Sequence, residues 1–485
     1  MAINASTGEV FSGYGRPATF EHKATYGEKS GPEAARDVNV LREVDVCVVG
    51  GGPGGIAAAV SAARGGARTL LIERYGHLGG MSTGGLVNII PNLGDTYGKQ
   101  AIGGFCQELI DRLAARNAAT YPEKKYWGST DKDEVQKYVD ANMMHFYVRR
   151  NPDGDRVTLY TAVIDPEVAK DEINTMVLES GAELLLHCWV TEPIMEGNRV
   201  KGVMLETKSG RQAVLAKVVI DCTGDGDLLP KLPEETVDYM PEGSRIAQFG
   251  WVYWIANVDI PRYFAFKREH PEEADAISKK IVELGGLPRF SPGLLKNQEG
   301  VVWIHRLIGS LHQTEPEEMT YVDVSARKRA VRNWELLKQY MPGFEKSFIM
   351  LSNPQLGTSG GRRLVGEYYL TEKDMDTDTP FEDTIAIFAD NDRGEKSLKH
   401  PRTYVPYRAL VPKGTEGFLV ACRAFSADHE FSEYFNLIPH CMCFGQAAGH
   451  AAAIAVQDGV SVREIDFSRL RAQLLKYGAI LPPED

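Results

Sequence analysis

The sequence predicts an α/β fold, a central parallel sheet covered by helices and a β-hairpin or meander, carrying an inserted α+β domain. Three observations predict it. Residues 44–76, "VDVCVVGGGPGGIAAAVSAARGGARTLLIERYG", alternate apolar run, glycine cluster, small-residue helix and second apolar run, which is the pattern of a β-α-β unit. Residues 160–230 add a helix, a strand, a turn and a further buried strand in that order. Residues 236–395 change texture to alternating aromatic strands between longer helices.

Taken along the chain, "VDVCVVG" is a buried strand and "GIAAAVSAARGG" a helix packed closely on it, followed by the strand "ARTLLIE". Gly50, Gly52 and Gly55 fall on G-x-G-x-x-G. The first glycine permits the turn out of the strand, the second lets a pyrophosphate approach the backbone, and the third lets helix and sheet pack closely. Phosphates then lie at the helix N-terminus, where free N–H groups and the positive end of the helix dipole point at them. Glu73 ends the second strand at the spacing where a carboxylate accepts from a ribose diol. Together these features predict a dinucleotide site. The next segment, "RYGHLGGMSTGGLVNIIP", clusters glycines and the Ser82 and Thr83 hydroxyls where a second piece of backbone can run beside the cofactor.

Further on, "DPEVAKDEINTMVLESG" reads as a helix, "AELLLHCWVTEPI" as a strand, "EGNR" as a hairpin turn, and "VVIDCTGDGDLL" as a buried strand and its exit loop. In the central region "RIAQFGWVYWIANVDI" and "VVWIHRLIG" are aromatic-rich strands around helical "PRYFAFKREHPEEADAISKKIVELGG". Their aromatic rings are candidates for a pocket or for core packing. Finally, "EGFLVACRAFSADHEFSEYFNLIPHCMCFGQAAGHAAAIAVQDG" gives a strand, a polar and aromatic loop, and a helix with small residues at Gly445, Ala448, Gly449 and Ala452.

Bulk properties narrow the function classes. The chain of 485 residues is 43% hydrophobic and 25% charged, ordinary for a globular protein of more than one domain. A formal charge of −12 and a pI near 5.5 give no basic field to steer nucleic acid inward. No apolar run approaches the ~20 residues of a membrane span, and "MAINASTGEVFSGYGRPATF" carries no export signal, so a cytoplasmic protein is expected. Seven cysteines, without a C-x-x-C pair, read as buried thiols rather than disulfides or a dithiol relay. Cys441 and Cys443 form a C-x-C pair that reads as packing, and no metal site is expected.

The blocks "VVGGGPGGIAAA", "GHLGGMSTGGLV", "VVIDCTGDGD", "GGRRLVGEYYLT", "VPYRALVPKGTEGFLVACR" and "IPHCMCFGQAAGHAAA" occur in this order between residues 45 and 460. In them the sequence resembles FAD-dependent oxidoreductases of the glutathione-reductase fold, specifically the bacterial group related to fumarate-reductase flavoproteins. The resemblance implies an N-terminal extension over 1–44, an FAD-binding domain over 45–235 resumed at 396–465, a substrate domain over 236–395, and a tail over 466–485. It puts the FAD pyrophosphate at Gly50, Gly52, Pro53, Gly54 and Gly55, the adenosine ribose at Glu73, and Arg74 near the adenine. Gly79, Gly80, Met81 and Ser82 fall near the flavin and its phosphate, and Val190 where backbone holds adenine. Thr223, Gly224, Asp225 and Gln446 are also implied as cofactor neighbours. Cys422 and Arg423 stand where the wider fold usually has Gly-Asp reaching the ribityl chain.

The resemblance further implies hydride transfer at flavin N5, which leaves the protein to orient a C–H bond and handle one proton. Candidates for the proton are His429, beside Glu430 and Asp428, and the twin arginines Arg362 and Arg363, which could instead hold a carboxylate or pair with acids such as Glu367. Asn436 and His440 replace an arginine and a threonine common in the family, which points to a different substrate. A helix beginning after Pro439 could aim its positive end at the reduced flavin. No second G-x-G-x-x-G follows a strand, so electrons are expected to pass to or from a separate partner such as oxygen, a quinone or a carrier protein. The expected activity is dehydrogenase or oxidase chemistry on a small-molecule CH–OH or CH–NH centre. Alternatives are fumarate-reductase-like reduction of an activated C=C bond, and a binding protein without turnover.

Overall fold

A computed structural model of the chain describes residues 37–241, 243–309 and 312–483, so most of the expected N-terminal extension lies outside the described residues. The first strand, β1 (Asn39–Val49), starts before the apolar run, and only its last six residues are buried throughout. Its polar start joins the sheet because it pairs in parallel with a long later strand, from Asn39 opposite Gln212 to Val49 opposite Asp221. Backbone pairing rather than burial extends it. After α1 (Pro53–Arg64), β2 (Thr69–Ile72) lies parallel on the other side of β1.

Helix α2 (Gly104–Ala115) and helix α3 (Pro166–Glu179) follow. The side chain of Asp165 accepts from the N–H groups of Glu167 and Val168, and Pro166 occupies the first turn, a combination that starts α3 where the sequence expects it. Strand β3 (Glu183–Leu185) adds to β2 in parallel. Then β4 (Trp189–Glu196), β5 (Arg199–Thr207) and β6 (Gly210–Asp221) run as an antiparallel meander. The expectation of a parallel sheet with the meander beside it is therefore corrected to one mixed sheet. Strand β6 is long enough to pair with β5 over its first half and, on the same edge, with a late strand over its last three residues.

In the central region β7 (Gln248–Ala256) is antiparallel to β8 (Val302–Gly309), α4 (Pro316–Tyr340) follows, and β9 (Phe348–Ser352) pairs on β7's other edge. Phe249, Trp251 and Tyr253 pack on one face with Val322, Ala326 and Leu337 of α4. Val252, Trp254 and Trp303 pack on the other with Leu86, Tyr138, Tyr147 and Val163. Of the two readings open for these aromatics, core packing is the one realised: Trp251 is 1% and Trp254 5% exposed.

The hairpin β10 (Thr384–Ala389) and β11 (Arg402–Pro406) precedes β12 (Phe418–Val420), which returns the chain to β6 in parallel. Helix α5 (Ile438–Asp458) lies across α1. A Cβ at Gly445 would collide with the carbonyl of Gly54, and one at Gly449 with that of Ala58. Small residues at these positions let the two backbones touch, which buries α5 from Ile438 to Ala455 almost without break. The expected tail contains α6 (Phe467–Lys476), capped by Asp466 and seated through Leu470 and Leu474. Among the described residues no helix is long and apolar enough to cross a membrane.

Candidate functional site

The groove begins where β1 turns into α1. Gly50 has φ +96°, and a Cβ there would lie 2.5 Å from the Cys222 carbonyl oxygen, so both conformation and space demand glycine. Gly54 and Gly55 are excluded from side chains by the carbonyls of Ala421 and Gly50. Gly52 differs: the nearest protein atom to a Cβ would be 4.0 Å away, so that volume belongs to the groove. Gly52 caps α1 with no side-chain hydrogen bond, and Pro53 occupies the first turn. The helix therefore presents uncapped N–H groups, the arrangement that binds anionic oxygens.

Glu73, 7% exposed, closes one wall. Its Oε2 accepts from Gly51 N–H at 2.6 Å and its Oε1 from Tyr75 N–H at 2.8 Å. Each carboxylate oxygen has a second lone pair, so a ribose hydroxyl can still be accepted. Arg74 lies over the Tyr75 and Trp189 rings, 5.1 and 5.0 Å from their centroids, and 3.8 Å from Asp227. Val190 completes this end. Gly80 and Met81 line the opposite wall, held close because Gly79 N–H donates to the Gly51 carbonyl at 2.8 Å.

The third wall is the exit loop of β6. Buried Asp221 accepts from Thr223 N–H and Oγ1 through Oδ1 and from Leu228 N–H through Oδ2, fixing the bend that carries Thr223, Gly224 and Asp225 to the groove. Burial raises the Asp221 carboxyl above its usual range. Arg423 pairs with Asp225 at 2.7 Å and donates to Thr358 Oγ1, tying the loop after β12 to the central region. A Cβ at Gly224 would meet the Arg423 guanidinium at 2.6 Å. Asp227 is pushed up to about 6 by burial and by the negative charges of Asp225 and Asp221. The groove holds about 940 Å³, open mouth included, and Met319, Gln355 and Leu356 of the central region close its far side. The uncapped helix end and the carboxylate suit a dinucleotide.

Of the residues expected at the cofactor, the structure brings Gly50, Gly52, Pro53, Gly54, Glu73, Arg74, Gly80, Met81, Val190, Thr223, Gly224, Asp225 and Arg423 to this one groove. Gly55 and Gly79 lie behind it as packing positions, and Ser82 is buried with its hydroxyl on the Gly79 carbonyl. Gln446 stands elsewhere: it accepts from Phe105 N–H at 3.0 Å and donates to the Tyr477 carbonyl at 3.3 Å, bracing α2 and the C-terminal segment against α5.

The proton candidates do not line the groove. Arg363, 2% exposed, gives its donors to the carbonyls of Ala427, Gly361 and Tyr239. Arg362 donates to the carbonyls of Asp225 and Gly226, and Glu367 pairs with Arg463 instead. These contacts make the twin arginines braces of the loops. His429 begins a helix spanning His429–Phe435, with Glu430 Oε1 3.5 Å from its Nε2 and the Tyr239 ring edge-on to it. Asp428 is committed to capping that helix and to Glu372 N–H. All seven cysteines are free and six are buried. Cys222, Cys422 and Cys441 line the groove, and burial pushes the Cys441 thiol up to about 12. Tyr75, Trp189, Thr358 and Asp227 were missed by sequence reasoning; only Asp227, in "TGDGD" beside the expected Asp225, carried a local signal.

A family model described as FAD dependent oxidoreductase matches residues 45–474. Among curated proteins the chain is similar to a thiamine thiazole synthase of Methanococcus vannielii, 26% identical over 207 residues, 41% of this chain and 63% of that protein. It is also similar to digeranylgeranylglycerophospholipid reductase 2 of Methanopyrus kandleri, 29% identical over 182 residues, 38% of each chain. The matches thus span less than two thirds of either relative's length. A solved geranylgeranyl bacteriochlorophyll reductase-like protein of Thermoplasma acidophilum aligns over 90% of this chain and 82% of its own, with 15% identity and a TM-score of 0.40.

Proposed function

The chain belongs to the FAD dependent oxidoreductase family, and from that premise we propose that it removes a hydride from a CH–OH or CH–NH centre of a small molecule and delivers the electrons to a separate acceptor. The single observation that carries the reading is the open position at Gly52, beside an uncapped helix end and the Glu73 carboxylate. FAD bound there supplies the two-electron chemistry.

The chain's own residues do the rest. The N–H groups at the start of α1 hold the pyrophosphate, Glu73 the adenosine ribose, and Arg74 with Trp189 and Tyr75 the adenine side. The Arg423–Asp225 pair carries the bend of the β6 loop against the cofactor. Cys441, in the first turn of α5, lines the groove, so the positive end of that helix would favour a negative charge on a cofactor held there. The substrate reaches this cofactor from the side of Met319, Leu356 and Thr358, and the layout proposed is of the glutathione-reductase type with residues 236–395 as the substrate domain. Arg362 and Arg363, both committed to carbonyls, give no support to the reduction of an activated double bond.

Anaerobic mixing of the FAD-loaded protein with panels of alcohols, hydroxy acids and amines tests the proposal. Loss of oxidised-flavin absorbance with one class is expected. No reduction by any class, together with reoxidation of the pre-reduced protein by activated alkenes, would overturn it.

A further inference from the structure

Beyond the groove, the Arg245 guanidinium bonds only neutral oxygens among the described residues. Arg245 opens the short turn ahead of β7 and reaches the helix His429–Phe435. Its Nε donates to the Glu433 carbonyl at 3.0 Å, and its Nη2 to that carbonyl, to the Ser432 carbonyl and to Asn436 Oδ1 at 2.6 Å. Among the described residues Nη1 has no partner and no carboxylate forms an ion pair with the guanidinium. The nearby acids are already matched. Glu433 accepts from the N–H groups of Arg245 and Ile246, and Asp392 from Arg149 and Asn92. Burial lowers the Arg245 pKa from its ordinary value, against the opposing charges of Glu433 and Asp392.

A second donor stands beside it. His440 is fully buried between Phe388 and Phe435, with ring centroids 4.2 and 5.5 Å away. Its Nδ1 accepts from Leu437 N–H at 3.2 Å, so the neutral ring carries its proton on Nε2. That Nε2 has no partner. Burial, then the charge of Arg245, keeps the ring neutral, with a pKa lowered to about 3. An unpartnered buried donor is costly unless a ligand or water meets it. Arg245 connects to the groove through Asn436, whose carbonyl accepts from the Cys441 thiol at 3.6 Å, and Cys441, which lines the groove, follows His440 directly in the first turn of α5.

We infer that Arg245 and His440 form an anion site that seats a carboxylate of the substrate, an inference that rests on the redox reading of the groove. Two donors with no acceptor match a carboxylate's two oxygens. A neutral alcohol would bring no charge to these donors, and an ammonium group directed at them would be repelled. The substrate class is therefore a hydroxy acid or amino acid presenting its carboxylate to Arg245. The side chains that do this are distinct from the twin arginines.

Calorimetric titration of the FAD-loaded protein with acetate and benzoate, each against its amide, tests the site. Carboxylates are expected to bind and amides not, with benzoate weakened about tenfold or more by Arg245→Met and by His440→Phe, and less by Arg245→Lys. FAD content should stay at the wild-type level in each variant. Equal binding of acid and amide, no binding of either at millimolar concentration, or undiminished benzoate affinity in folded His440→Phe would overturn the inference, whether or not Arg245→Met folds. Failure of the wild-type protein to hold FAD would instead strike the redox reading, and because the benzoate titration is read as heat and not as flavin absorbance, it is run on the apo protein as well.

Discussion

Replacing Glu73 by glutamine keeps the shape of the side chain and removes its charge. In the native structure each carboxylate oxygen accepts one backbone N–H, from Gly51 at 2.6 Å and Tyr75 at 2.8 Å. Glutamine has one acceptor oxygen, so its NH₂ must face one of those N–H groups. One charge-assisted bond, worth about 1.5–3 kcal/mol, is lost outright, and a buried donor is left unmet. The apo protein should lose about 2–4 kcal/mol, since the side chain is 7% exposed and water cannot easily repair the gap. FAD affinity should fall further, roughly 10–100-fold, because the same carboxylate is offered to the ribose while Gly51 shapes the phosphate loop. Urea unfolding of the apo protein and fluorescence titration with FAD separate the two effects. Apo stability within about 0.5 kcal/mol of wild type, with unchanged FAD affinity, would refute the reasoning.

Three further outcomes are expected. Gly445→Ala drives a methyl group into the Gly54 carbonyl and should cost about 2–3 kcal/mol or more in urea unfolding, with a weakened FAD site because α1 is displaced. His450 is buried against Tyr477 with neither ring nitrogen partnered, and its pKa is lowered to about 4 by burial. It folds neutral, so the stability it permits near neutral pH is lost as pH falls from about 6.5 toward 4; His450→Phe should flatten that slope and add about 1 kcal/mol at neutral pH, as read from unfolding curves across that range. Asp227 has the opposite sign: with its carboxyl raised to about 6, the folded state binds the extra proton and stability falls as pH rises from about 4 to about 6. Asp227→Asn should remove this fall, and an unchanged pH profile would show that the charge cluster with Asp225 and Asp221 does not act on it.

The readable parts of the molecule are those where geometry admits few residue types. Gly50, Gly54 and Gly55 are each enclosed by named carbonyls, so the sequence there is close to a map of the backbone. Glu73 was legible by spacing, although its bonds to Gly51 and Tyr75 were not. The start of β1 was hidden because Asn39 to Glu43 enter the sheet through pairing with β6, which polar residues can do as well as apolar ones. The mixed sheet was hidden for a related reason, since β6 changes partner along one edge. Arg362 and Arg363 looked like ligand-binding residues but satisfy carbonyls of loops that only tertiary structure brings near. Arg245 gave no local signal, because its partners lie about 190 residues further along the chain. Gln446 sat in a block of the family pattern, yet its side chain points to α2 and the C-terminal segment.

The central claim is that the glycine-lined groove at the start of α1 holds FAD, and Gly52→Val tests it most directly. Gly52 has φ −71° and ψ −174°, open to any residue, and the nearest atom to an added Cβ outside its chain neighbours is the Cys222 carbonyl oxygen at 4.0 Å. The variant should therefore fold with wild-type apo stability while filling the space the pyrophosphate needs. After reconstitution with excess FAD and gel filtration, flavin absorbance should give about one FAD per wild-type chain and about a tenth of that or less for Gly52→Val. Full FAD content in a normally folded Gly52→Val would contradict the account.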